Sequence, residues 1–137
     1  VAACRKYLEQ HADGRPYDWI YAPCDQTLQG SLHPCVYALK RDTNQSHGLS
    51  LEQSRDAFEA AMRELKASVP SSRSDLRAEL DRVHSFLAAL VGIRIPGSLY
   101  EQLEPRFRFS NTLSALHTWL EAQCTLSPLI LQVEDIL

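Results

Sequence analysis

LILQVEDIL, residues 129–137, is the stretch on which the fold turns. From Leu129 to Val133 it is apolar except for Gln132. A near-continuous apolar run suits a strand of a parallel sheet buried on both faces, whereas a half-exposed strand alternates polar with apolar residues. Two adjacent carboxylates, Glu134 and Asp135, stand at its end. In open α/β sheets ligands bind outside the carboxyl ends of the strands, so acids at that position are able to face a ligand. In phosphate-transferring proteins one such carboxylate holds Mg²⁺, directly or through water, and its neighbour polarises the attacking water. A solvated strand end is the competing reading of the same two residues.

Outward from this strand the sequence is mostly helical. Asp18-Trp19-Ile20-Tyr21-Ala22, aromatic and β-branched between Pro16 and Pro23, is the other strand candidate. Val1, Cys4, Leu8 and His11 recur at helical spacing, and the cluster Asp13-Gly14-Arg15-Pro16 ends that helix. After the loop DQTLQGSLHP, residues 35–40 form a short helix, followed by the polar linker RDTNQSHG. Ser50-Leu51-Glu52-Gln53 is a capping-box pattern ahead of a helix over 51–66, with Leu51, Phe58, Met62 and Leu65 on one face. VPSSRS breaks the pattern at 69–74, and Leu76, Leu80, Val83, Leu87 and Leu90 resume it over 74–91, up to Gly92. IRIPG is a connector and SLYEQLE one or two helical turns. Phe109, Leu113, Leu116 and Leu120 then define a last helix ending near Cys124. No internal repeat is present.

The chain of 137 residues is one domain in size, and 45% hydrophobic residues suffice for a core. Lys plus Arg number 14 against 17 Asp plus Glu, a net charge of −3 that offers no broad field to nucleic acid or an anionic membrane. No apolar run approaches the roughly 20 residues that span a bilayer. VAACRKYLEQ has neither an initiator Met nor a signal pattern, so the reading is a cytoplasmic piece of a longer protein. Cys4, Cys24, Cys35 and Cys124 include no C-x-x-C pair, which favours reduced thiols over a disulfide framework. Cys24, His33 and Cys35 lack a fourth ligand at zinc spacing, and loop and core roles explain them better.

The order of parts resembles the region between Walker A and Walker B in the AAA-like or STAND-type P-loop ATPase domains of multidomain signalling proteins. VAACRKYLEQ is similar to the helix that follows the phosphate loop, WIYAPC to the next strand, and QGSLHPCVYALKR to the loop after it. GSLYEQLEPRFRFSNTLSALHTWLEAQ and LILQVEDIL resemble the segment leading into Walker B and the Walker B strand. The likeness covers essentially the whole chain, although the helices over 50–91 contribute little to it.

The resemblance implies an α/β fold: a fragment, residues 1–137, of a three-layer P-loop NTPase, mostly helical, with strands 19–22 and 129–133 as parallel neighbours. It implies a regulatory domain that binds and hydrolyses ATP with Mg²⁺. Its partners would be attached kinase, nucleotide cyclase or transcription-regulator domains, with oligomerisation left open. Glu134 stands where P-loop strands carry the residue that holds the metal, and Asp135 at the position of the catalytic, water-polarising carboxylate. One departure is plain: Gly14, Gly30, Gly48, Gly92 and Gly97 never cluster, so no G-x-x-G-x-G-K-S/T loop is present. The expectation is therefore a segment inactive alone, beginning after Walker A and ending at Walker B, with an unpaired sheet edge.

The remaining constellations read as structure. His11, His84 and His117 lie on or beside apolar helical stripes, where a core or boundary role is the ordinary one. Arg106 and Arg108 alternate with Phe107 and Phe109 as solvated charges on an amphipathic segment, with contact to a nucleotide or a neighbouring domain as the less favoured reading. The function from a different class is a non-enzymatic interaction module whose helices 51–66 and 74–91 present a docking face.

Overall fold

The computed structural model describes residues 2–11, 17–23, 32–125 and 127–134. Two strands pair in parallel, β1 (Asp18–Pro23) and β2 (Leu129–Glu134), as the α/β reading requires. The register runs from Asp18 opposite Leu129 to Pro23 opposite Glu134. Because successive side chains alternate across a strand, Ile20 and Ala22 turn to one face, where both are buried with Leu129 and Val133 packed alongside. Trp19 and Tyr21 turn to the other.

The helices between the strands form the core against the Ile20 face. They are α2 (His33–Asp42), α3 (Leu51–Ser68), α4 (Ser74–Leu90), the single turn α5 (Leu99–Gln102) and α6 (Pro105–Gln123). Ala38 and Leu39 of α2 join Ile20 and Ala22 in the core. From α3, Phe58, Met62 and Leu65 are buried; from α4, Leu76, Leu80, Val83, Phe86 and Leu87; and from α6, Ala115, Leu116 and Trp119. The apolar stripes of α3 and α4 thus face the core of the domain. Only Leu51 among the expected α3 residues stays out, 65% exposed.

Local chemistry sets the helix ends. At Ser50 both halves of the capping box form: the Gln53 amide donates to Ser50 Oγ at 3.1 Å, and the Ser50 amide to Gln53 Oε1 at 2.9 Å. Helix α4 closes with Gly92 at φ 83°, its amide donating to Ala89 O at 3.1 Å and that of Ile93 to Ala88 O at 2.9 Å. This is a Schellman closure, which needs a left-handed residue, and it drives Ile93 into the core at 1% exposure.

Several boundaries differ from the sequence reading. Helix α2 runs two residues further at each end than 35–40, with Pro34 in its first turn. Helix α6 begins at Pro105, four residues before the first residue of its apolar stripe, because proline's fixed φ favours a helix start. The first helix, α1 (Ala2–His11), exists, yet none of its residues is buried: Cys4 and His11 are exposed and Leu8 is half-buried. The expected helix end at 13–16 lies outside the described residues.

Trp119 fastens α6 to α2. Its ring is 1% exposed, and its Nε1–H donates to Asp42 Oδ2 at 3.3 Å, where Gln123 Nε2 also donates at 2.8 Å. Asp42 is exposed by total area, but its carboxyl is turned in beneath these donors, and desolvation pushes its pKa above the ordinary value. The two hydrogen bonds and Arg41 oppose the rise, and Asp18 adds to it. A carboxyl whose folded pKa is raised favours the native state at acid pH, and that advantage is lost as pH climbs through the folded pKa. Asp42→Asn keeps an acceptor for both donors and carries no charge to desolvate. Urea unfolding at pH 7 should therefore find the Asn variant at least as stable as the parent, its relative advantage shrinking as the pH is lowered toward 4. Asp42→Leu should be destabilising by about 1–3 kcal/mol, since it strands the Trp119 donor.

Candidate functional site

The parallel register gives the sheet two chemically different ends. At the amino ends, the Asp18 amide donates to Pro128 O at 2.8 Å and Ser127 Oγ to Asp18 Oδ2 at 2.8 Å, tying the strand entries together. At the carboxyl ends, Pro23 stands opposite Glu134. Parallel strands point their carboxyl ends the same way, so the exits of β1 and β2 share one edge of the domain. Glu134 is the last residue of β2. Its side chain, and Asp135 entirely, lie outside the described residues, as does the segment 24–31 that leaves β1.

The face away from the core explains Gln132, the polar interruption in the apolar run. Trp19 Nε1 donates to Gln132 Oε1 at 2.8 Å, one step along the ladder from the opposed pair Trp19 and Ile130. The Arg5 guanidinium of α1 lies 5.3 Å from the centroid of the Trp19 ring, and Tyr17 meets that ring edge-on at 6.4 Å. In the sequence Gln132 only interrupts an apolar run. It is the acceptor that lets an indole sit on the sheet with its N–H satisfied.

The other sequence candidates scatter. Arg106 is exposed, paired with Glu104 at 2.8 Å and set over Phe107 at 4.6 Å. Arg108 is not a solvated charge: half-buried, it donates to Tyr100 O at 3.0 Å and stacks 4.8 Å from the Tyr100 ring. His84 is half-buried, its Nε2 2.9 Å from Glu59 Oε1 and its ring edge-on to Phe58. His11 and His117 are both exposed rather than core residues; His11 stacks on Tyr7 at 4.0 Å, and His117 lies 3.9 Å from Glu121. Cys4 and Cys124 are free thiols, and Cys24 lies outside the described residues. Among the described residues no group of three His, Cys, Asp or Glu side chains converges to hold a metal.

Three concavities on the described surface have linings that include no strand residue. One of about 210 Å³ lies between α3 and α4, and one of about 280 Å³ beside Asp42 and Gln123. The third, about 600 Å³, runs along the outer face of α2. Its signal was present in the sequence as His33, Val36, Tyr37, Lys40 and Arg41, a stripe at helical spacing that apolar-pattern reading passes over. Compared with family models, with curated proteins and with solved structures, the chain shows no match.

The Trp19–Gln132 bond is testable in itself. Trp19→Phe keeps the ring and removes the donor, so it should lower stability by about 1 kcal/mol, read as a fall in the urea midpoint without change of slope. An unchanged midpoint would mean that the bond contributes nothing to the sheet.

Proposed function

We propose that this chain is the part of an ATP-binding, ATP-hydrolysing regulatory domain that follows the phosphate loop. Glu134 would serve Mg²⁺ and Asp135 the attacking water. The observation that supports this reading is the parallel ladder, which sets Pro23 opposite Glu134 and so brings the carboxyl ends of β1 and β2 side by side. Such a strand end is where α/β sheets take their ligands. An isolated carboxyl pair also suits the metal: Mg²⁺ keeps several waters and is usually held by one or two carboxylates plus substrate phosphates. It therefore needs no three-residue cluster of the kind that is lacking among the described residues. When bound, Mg²⁺ would neutralise phosphate charge. Asp135 would hold a water in line, and the cradle for the phosphates would come from a loop outside these residues.

In this reading the domain sits in the cytoplasm and its nucleotide state governs attached kinase, cyclase or DNA-binding domains, because a ligand that favours one conformation shifts the population toward it. Among the described residues no helix is long and apolar enough to cross a membrane. The interaction-module reading keeps one specific support, the exposed Phe107, Phe109 and Leu113 on α6, at 46%, 56% and 43%.

In a longer chain that carries the phosphate loop, Asp135→Asn should lower ATP turnover by two or more orders of magnitude with ATP affinity largely kept, since a water-positioning group acts in the transition state. Glu134→Gln should raise the Mg²⁺ concentration needed for half-maximal activity. The 137-residue chain alone should bind ATP no better than at about millimolar strength, lacking the amides and Lys that cradle phosphates. Full turnover in the double variant, or micromolar Mg-dependent binding by the short chain, would refute the assignment.

A further inference from the structure

We infer that the groove on the outer face of α2 is a binding site for a small aromatic dianion, an aryl ring carrying a phosphate-like group. At about 600 Å³ it has the size of a small-ligand site. Its floor and one side are apolar, with Val91 8% exposed and the Tyr37 ring standing open at 41%. Lys40 and Arg41 supply two permanent cations one and two helical turns from Tyr37 and His33, on a single face of α2.

Among the described residues no carboxylate lines this groove, in a chain whose net charge is −3. The nearest acid in sequence, Asp42, is turned away: its Oδ2 accepts from Trp119 and Gln123 on the α6 side. Among the described residues neither Lys40 nor Arg41 forms a salt bridge. The basic last turn does complement the α2 dipole, but that effect asks nothing of Tyr37 or of an acid-free wall.

The groove is also built in advance. Its far wall, residues 43–47, is pinned by Gln45, whose Nε2 donates to Thr43 O and Ser54 O, both at 3.0 Å, and whose Oε1 accepts from Ser54 Oγ. The Gln45 amide donates to Lys40 O at 2.8 Å, and Thr43 Oγ1 to Leu39 O at 2.8 Å. A wall hydrogen-bonded to both α2 and α3 loses little entropy on binding. An open ring beside two guanidinium and ammonium cations matches a ligand that offers a π-face and a doubly charged head, the pairing in which Arg and Lys bind phosphate most strongly. The inference uses no residue of either strand and is independent of the nucleotide reading.

The test is a titration of the ¹⁵N-labelled chain with phenyl phosphate, with inorganic phosphate and with phenol. Phenyl phosphate should shift the amides of 33–47 and Val91 saturably, without Mg²⁺, and bind more tightly than either half alone. K40Q/R41Q should weaken it by about tenfold or more with a cooperative thermal unfolding transition retained, both side chains being exposed. Tyr37→Leu should weaken phenyl phosphate but not inorganic phosphate. Equal binding of phenyl phosphate and phenol, shifts confined to other residues, or an undiminished affinity in K40Q/R41Q would overturn the proposal. So would an Asp- and Glu-rich peptide that saturates the same amides more tightly, since the groove would then be a peptide site.

Discussion

Everything in this domain depends on a parallel ladder between two six-residue strands. Antiparallel strands close with a two-residue turn, but parallel ones require a crossover of a dozen residues or more. Here the crossover is the domain itself, since Leu129 opposite Asp18 brings together residues from the two ends of the chain. The helices between must leave the carboxyl end of β1, build a core, and return to the amino end of β2. The core they build covers the sheet face of Ile20 and Ala22. Loop closure of this length is costly before contacts reward it, so the ladder persists only because the helical core holds its ends in place.

That core is joined to the sheet at few points. Helices α4 and α6 make the central packing, with Phe86, Leu87 and Trp119 at 0%, 0% and 1% exposure. Helix α2 connects it to the strands through Ala38 and Leu39 on one side and through the Asp42 acceptor of Trp119 on the other. Among the described residues, the opposite sheet face carries the Trp19 and Gln132 pair, with Tyr17 edge-on to the Trp19 ring and Arg5 of α1 over it, α1 itself having no buried residue.

The helices and strands were legible because their signals are local. The capping box at Ser50, the apolar stripe from Leu76 to Leu87 and the run from Leu129 to Val133 each state their element within a dozen residues. What was not legible is long-range. Gln132 only interrupts an apolar run until Trp19, 113 residues away, supplies its donor. Arg108 read as a solvated charge, yet an α6 begun at Pro105 carries it back onto the Tyr100 carbonyl. Helix α1 has the pattern of a buried face without described residues to bury it. The groove on α2 was missed because its stripe mixes His, Tyr, Lys and Arg, which apolar periodicity does not count. Of the candidate acids, Glu134 is the last residue of β2, and Asp135 lies outside the described residues.

In the proposed function the carboxyl end of this ladder faces a metal-bound nucleotide. Mn²⁺ in place of Mg²⁺ makes the claim directly measurable, because a paramagnetic ion broadens the amide resonances of residues close to it. In a chain that includes the phosphate loop, Mn²⁺ with ATP should broaden the amides of Val133, Glu134 and Asp135. Those of Asp18 and Leu129, at the opposite end of the same strands, should stay sharp. Bound Mn-ATP that leaves residues 133–135 sharp would contradict the claim and return the two carboxylates to the role of a solvated strand end.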